Sequence, residues 1–205
     1  MKGEKKMKIG FDIDDTITNS SEVFVKYATQ YNYLKSIKFP INTNELNLTL
    51  AFGWNEENKK EFNKLYLKKV LNEAIPNKDA ISVINCLKKQ GNMIFLITAR
   101  NNSEISNMYS ITKKWLIKNQ VNYDYLFINC ADKLTVCVKN DIDVFVDDNI
   151  STCKNIYENS KTNVLIYTTK YNQNINTKFM RVFNWKEIQM YITKLKKERI
   201  LWRQN

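Results

Sequence analysis

Histidine is absent from this chain of 205 residues, which removes Ser-His-Asp and Cys-His catalysis, His-ligated zinc and phosphohistidine chemistry together. Any chemistry must rest on carboxylates, lysine or hydroxyls. Glycine, with 4 residues, and proline, with 2, are scarce, so long flexible linkers are not expected. The cysteines Cys86, Cys130, Cys137 and Cys153 show no Cys-x-x-Cys spacing and no secretory signal precedes them. They read as reduced, small apolar filler in a cytoplasmic protein. No run approaches the roughly 20 apolar residues that span a bilayer. Met7 stands directly before the first apolar run, which marks residues 1–6 as a leader.

Basic residues are plentiful: 32 Lys and Arg against 21 Asp and Glu give a formal charge of +11. They are spread in short groups such as Lys59-Lys60, Lys88-Lys89 and Lys196-Lys197, with no nucleic-acid-binding motif to organise them. A small anionic substrate, or merely a Lys-rich proteome, fits this pattern better than a nucleic-acid groove.

Five short apolar runs, at about residues 7–13, 93–99, 126–129, 143–147 and 163–168, read as buried strands. Between them lie stripes of helical period: Ala80, Ile84 and Leu87; Ile105, Met108, Thr112, Trp115 and Leu116; Ile150, Cys153, Ile156 and Tyr157. Trp185, Ile188, Tyr191, Ile192 and Leu195 form a last stripe, with Asn184 and Glu187 as a capping box. Alternation of this kind predicts an α/β fold with a mostly parallel sheet flanked by helices.

The first crossover is far too long for an ordinary connection. It predicts an inserted lobe over 19–76, with the core formed by 7–18 and 77–205. Phe24, Tyr27, Ala28, Tyr31 and Leu34 recur at helical spacing, as do Phe62, Leu65, Tyr66 and Val70, so the insertion reads as helical. Phe39 to Gly53 reads as a loop.

Ligands of open α/β sheets bind outside the carboxyl ends of the strands. Strand one ends in Asp12-Ile13-Asp14-Asp15-Thr16 and strand two in Thr98-Ala99-Arg100; strand three leads to Asp132-Lys133 and strand four ends in Asp147-Asp148-Asn149. Each alone has a bland reading as a helix cap or a surface group. Together they converge on one crevice. A response-regulator receiver combines similar groups, but its Thr and Lys lie after the acidic cluster, whereas here Asp147-Asp148 follows both. No P-loop run is present.

In that order, Asp12-x-Asp14-x-Thr16, Thr98, Lys133 and Asp147-Asp148 resemble the four signature motifs of the haloacid dehalogenase superfamily. The resemblance covers residue 9 to about 150 and implies a Rossmann-like core with a cap inserted after the first motif. It implies Asp12 as nucleophile forming an aspartyl-phosphate, Asp14 as acid and base, Thr98 and Lys133 as phosphate-binding groups beside Ala99, and an Mg²⁺ site on Asp12, the Asp14 carbonyl and Asp147, with Asp148 through water. A phosphate monoester entering among these carboxylates needs such a cation, because like charges at about 4 Å repel by roughly 4 kcal/mol at an effective dielectric near 20. All-oxygen donors favour a hard ion. The stretches Leu96–Arg100 and Val146–Asp148 also resemble the 5′(3′)-deoxyribonucleotidase group, which implies nucleoside monophosphates as substrates. Phe52, Trp54 or Tyr27 could then stack on the base, or simply hold the lobe together. Another small phosphorylated metabolite, or a 3′-phosphorylated nucleic-acid end, remains an alternative substrate.

Overall fold

The computed structural model describes residues 6–45, 47–103 and 105–201; apart from Lys6, the leader expected over 1–6 lies outside them. A six-stranded, all-parallel sheet runs in the order β3-β2-β1-β4-β5-β6. Its strands are β1 (Lys8–Phe11), β2 (Met93–Ile97), β3 (Tyr125–Phe127), β4 (Val144–Asp147), β5 (Asn163–Tyr167) and β6 (Met180–Val182). Helices α5 (Ala80–Lys89), α6 (Met108–Lys118), α7 (Lys133–Lys139), α8 (Ile150–Asn159) and α9 (Trp185–Leu201) connect and cover them. Among the described residues no helix is long and apolar enough to cross a membrane.

The strands are continuous apolar runs because both of their faces are covered. Side chains alternate across the sheet, so Ile94 and Leu96 join one core with α5, α6 and α9, while Phe95 and Ile97 join the other with α7 and α8. Gly10 in β1 leaves room for the Phe145 ring of the adjacent strand β4, its register partner. A Cβ there would lie 2.7 Å from Cδ2 of Phe145.

β1 pairs with β2 on one side and β4 on the other, so the direction of winding reverses at β1 and opens a crevice beyond its carboxyl end. The ladder continues one residue past the strand, where Asp12 N donates to Val146 O at 2.9 Å.

Between β1 and α5 the chain forms α1 (Ser20–Leu34), α2 (Leu48–Phe52), α3 (Glu56–Phe62) and α4 (Lys68–Glu73), the last two joined through a π-helical turn over Asn63–Leu67. Their own core is aromatic: Phe24, Phe52, Trp54 and Phe62 lie with ring centroids 4.6–5.9 Å apart.

Four expectations need correction. The loop foreseen over Phe39–Gly53 contains α2, started by the Asn47 side chain accepting from Thr49 N and stopped by Gly53 at φ 72°. Leu65, one of the residues at helical spacing, lies within the π turn and is 50% exposed, while Tyr66 and Leu67 beside it are buried. Strand three ends at Phe127, and Ile105 precedes α6. β6 was not foreseen. The Asn184–Glu187 pair does cap α9, although Glu187 reaches Phe183 N and the Asn184 side chain in addition to donating its own N–H to Asn184 Oδ1.

Candidate active site

The carboxyl ends of β1 and β4 and the start of α7 bring Asp12, Asp147, Asp148 and Lys133 into one buried cluster. Lys133 Nζ donates to Asp12 Oδ1 at 2.5 Å and to Asp147 Oδ2 at 2.7 Å. Its position is set locally, because Asp132 caps α7 and Lys133 is the first residue of that helix. Asp147 Oδ1 accepts from Asn149 N at 2.8 Å, and Asn149 in turn caps α8. Asp148 accepts from Thr16 Oγ1 at 2.9 Å and from the phenol of Tyr171.

Asp12, Asp147 and Asp148 each offer a carboxylate oxygen, all within 4.8 Å of one another. Against these three carboxylates stands one ammonium, so the cluster carries an excess of two negative charges when all are ionised. The electrostatics register this shortfall. Burial, joined by the charges of Asp147 and Asp14, pushes Asp12 up to about 7 even though Lys133 opposes the shift. Burial, then Asp147, also raises Asp148 well above the ordinary carboxylate range. Lys133 itself is held charged, its burial outweighed by Asp12 and Asp147.

Asp14 is built differently. Although burial alone would raise it, Arg100 holds it below the usual carboxylate range. Arg100 grips it with both Nε and Nη2 at 2.7 Å and anchors on Thr112 of α6 through Nη1 at 3.3 Å. Asp15, with φ 56°, turns away to accept from Ser21 N and the Ser20 hydroxyl, which is the turn-capping role its position suggested. Thr98 is buried at the end of β2, where its Oγ1 accepts from Arg100 N at 3.3 Å.

A cavity of about 400 Å³ lies between these residues and the helical lobe. Asp14, Ala99 and Arg100 line one side; Phe24, Leu48 and Phe52 line the other. Trp54, foreseen as a base-stacking residue, is 1% exposed and donates from Nε1 to Asn32 Oδ1 within the lobe's core. That expectation is corrected: packing among Phe24, Tyr31, Phe52 and Phe62 leaves its ring no free face. Tyr27, likewise buried, bonds through its phenol to Glu73.

Sequence reasoning overlooked Tyr171, which lies four residues beyond β5 and lines the cavity. The strand-end rule applied to the first four strands, carried to the fifth, would have reached it.

No protein-family profile matches the chain. It is 30% identical over 207 residues to a nucleotidase from Clostridium acetobutylicum, an alignment covering 93% of this chain and 96% of that one. Among solved structures, a haloacid dehalogenase-like hydrolase from Streptococcus pneumoniae superposes with a TM-score of 0.68 at 13% identity, covering 91% of this chain and 98% of the other. A haloacid dehalogenase-superfamily hydrolase of subfamily IA from Geobacter sulfurreducens gives 0.61 at 13% identity, covering 90% and 98%.

Proposed function

The chain belongs to the family of the Clostridium acetobutylicum nucleotidase; from that premise, and from its likeness in fold to haloacid dehalogenase-like hydrolases, we propose that it is a Mg²⁺-dependent nucleotidase of that superfamily that hydrolyses nucleoside monophosphates through a phosphorylated Asp12. The observation that carries the proposal is the uncompensated cluster of Asp12, Asp147 and Asp148 around Lys133, next to a cavity whose lining includes Asp14 and Tyr171, the latter bonded to Asp148.

The donors fit a hard divalent cation. All are carboxylate oxygens, the chain has no histidine to recruit a softer ion, and the excess charge is that of one such cation. Asp12, Asp147 and Asp148 would hold it, with the Asp14 carbonyl completing the protein's share. Bound there, Mg²⁺ would offset the repulsion between the carboxylates and an entering phosphate.

Asp12 is the nucleophile, and attack of its carboxylate oxygen on phosphorus releases the nucleoside oxygen. Asp14, a carboxylate paired with Arg100 in the free chain, must leave that pair and take up a proton from solvent as substrate enters before it can protonate the departing oxygen. As a carboxylate again, it then takes a proton from the water that hydrolyses the aspartyl-phosphate. Lys133 orients Asp12 and neutralises charge shared with the transferring group, while Thr98 and the backbone at Ala99 hold phosphoryl oxygens. The lobe over 19–76 acts as a cap, its Phe24 and Phe52 giving the nucleoside an apolar wall opposite the chemistry.

Phosphate release from a panel of nucleoside monophosphates, with Mg²⁺ and with chelator, tests this reading. Release that needs Mg²⁺ and vanishes in Asp12→Asn is expected. Release that survives either change overturns it.

A further inference from the structure

We propose that Tyr171 is a positioning residue for the divalent cation: its phenol, delivered by the β5–β6 connection, fixes the Asp148 carboxylate at the floor of the site. The inference rests on the cation-dependent reading given above and adds a residue to it from outside the four strand-end clusters.

The connection is constructed around this placement. Asn172, 1% exposed, donates from Nδ2 to Asp148 O and to Tyr167 O, both at 2.8 Å, so the residue after Tyr171 is tied both to the Asp148 backbone and to the end of β5. Arg181 in β6 clamps the same asparagine, donating to its Oδ1 at 2.9 Å and to its backbone carbonyl at 3.0 Å, and reaches Ile175 O at 2.7 Å. These ties join the segment to β5, β6 and the Asp148 backbone, and Tyr171 projects from it with its phenol on Asp148 Oδ2 and 3.4 Å from Asp15 Oδ2.

Asp148 is then gripped from two directions, by Thr16 on Oδ1 and by Tyr171 on Oδ2. Each carboxylate oxygen has a second lone-pair direction, so both donors can stay in place while the carboxylate serves a cation or its water. Outer partners of this kind fix the orientation of metal-binding carboxylates, and their loss typically weakens metal affinity about 10–100-fold. The ring has a separate place, as part of the wall between the 400 Å³ cavity and a neighbouring 530 Å³ groove lined by Asn77, Thr169 and Gln173. Tyr171→Phe keeps the ring and removes only the hydroxyl.

Mn²⁺ binding to metal-free protein, followed by the electron paramagnetic resonance of the free ion, separates the possibilities. Wild type should bind Mn²⁺, and Tyr171→Phe should bind about tenfold more weakly while melting within a few degrees of wild type in chelator. In turnover, the Mg²⁺ concentration for half-maximal rate should rise by a larger factor than kcat falls. Equal Mn²⁺ affinity in the two proteins overturns the role of Tyr171 and leaves the nucleotidase reading standing. Wild type that binds no Mn²⁺ overturns both.

Discussion

Replacing Lys133 by methionine gives the sharpest test of the charge balance at the site. The substitution keeps an unbranched side chain over the Phe145 ring, 5.9 Å from the ammonium, and deletes the ammonium that bonds both Asp12 and Asp147. The side chains of Lys133, Asp12 and Asp147 are only 7%, 7% and 1% exposed, so water screens little of the change. Breaking a buried ion pair by removing one partner costs about 3–5 kcal/mol. The figure agrees with the repulsion of roughly 3–4 kcal/mol between like charges nearly 5 Å apart at an effective dielectric near 20. For a chain of this length each kcal/mol moves the melting temperature by about 2–4 °C. In chelator, Lys133→Met should therefore melt roughly 10 °C below wild type. The gap is best read at alkaline pH, because protonation of Asp12, which the loss of Lys133 favours further, relieves part of the repulsion at lower pH. Millimolar Mg²⁺ should narrow the gap, since a divalent cation supplies the missing positive charge, and adding Asp147→Asn should narrow it without any metal. Thermal melts of the three proteins with and without Mg²⁺ decide the matter. Equal melting of Lys133→Met and wild type in chelator, or a gap indifferent to both Mg²⁺ and Asp147→Asn, would refute the reasoning.

Three other outcomes are expected. Because Asp12 is raised from the ordinary carboxylate value of 3.8 to about 7 in the folded chain, its contribution to stability is full below the ordinary value and is lost as pH rises through about 7. Urea midpoints of metal-free wild type should fall across that window more steeply than those of Asp12→Asn. Trp54→Ala should cost about 3–5 kcal/mol in denaturant unfolding, since it empties the aromatic core of the cap and strips Asn32 Oδ1 of its donor, while rates normalised to folded protein should keep the same order among the four bases. Gly53→Ala should destabilise by about 1–3 kcal/mol, because the residue sits at φ 72° and a Cβ would come 2.5 Å from the Phe39 ring.

The central strands were legible because burial on both faces forces an unbroken apolar run, and Met93–Ile97 and Val144–Asp147 show it plainly. β6 was not, because a three-residue edge strand of Met, Arg and Val has only β5 to pair with and no length in which a pattern can emerge. A helix of five residues such as α2 is equally too short for periodicity. Its signals were its ends, Asn47 and Gly53, and these are also the residues of an ordinary turn. The exposure of Leu65 was hidden for a different reason, since a π turn changes the phase of a stripe without changing its composition.

At the site, topology did most of the predicting. Once the strands run parallel around β1, residues immediately past their ends must meet, and the register that sets Phe11 beside Leu96 carries Asp14 toward Arg100 three or four residues later. An arginine at position 100 could equally serve a structural ion pair or a substrate contact, because the choice depends on which way a side chain turns after the ladder ends, and here it turns onto Asp14. The overall charge illustrates the same limit. A chain of +11 attracts anions at long range, yet the buried cluster at the strand ends holds three carboxylates against one ammonium, so the field that draws a phosphate ester toward the molecule reverses at the last few ångströms. Long-range attraction raises the encounter rate but cannot place a dianion among carboxylates; the local balance does that, and it closes only when a further two positive charges enter. Composition reports the first of these fields, and only the fold reports the second.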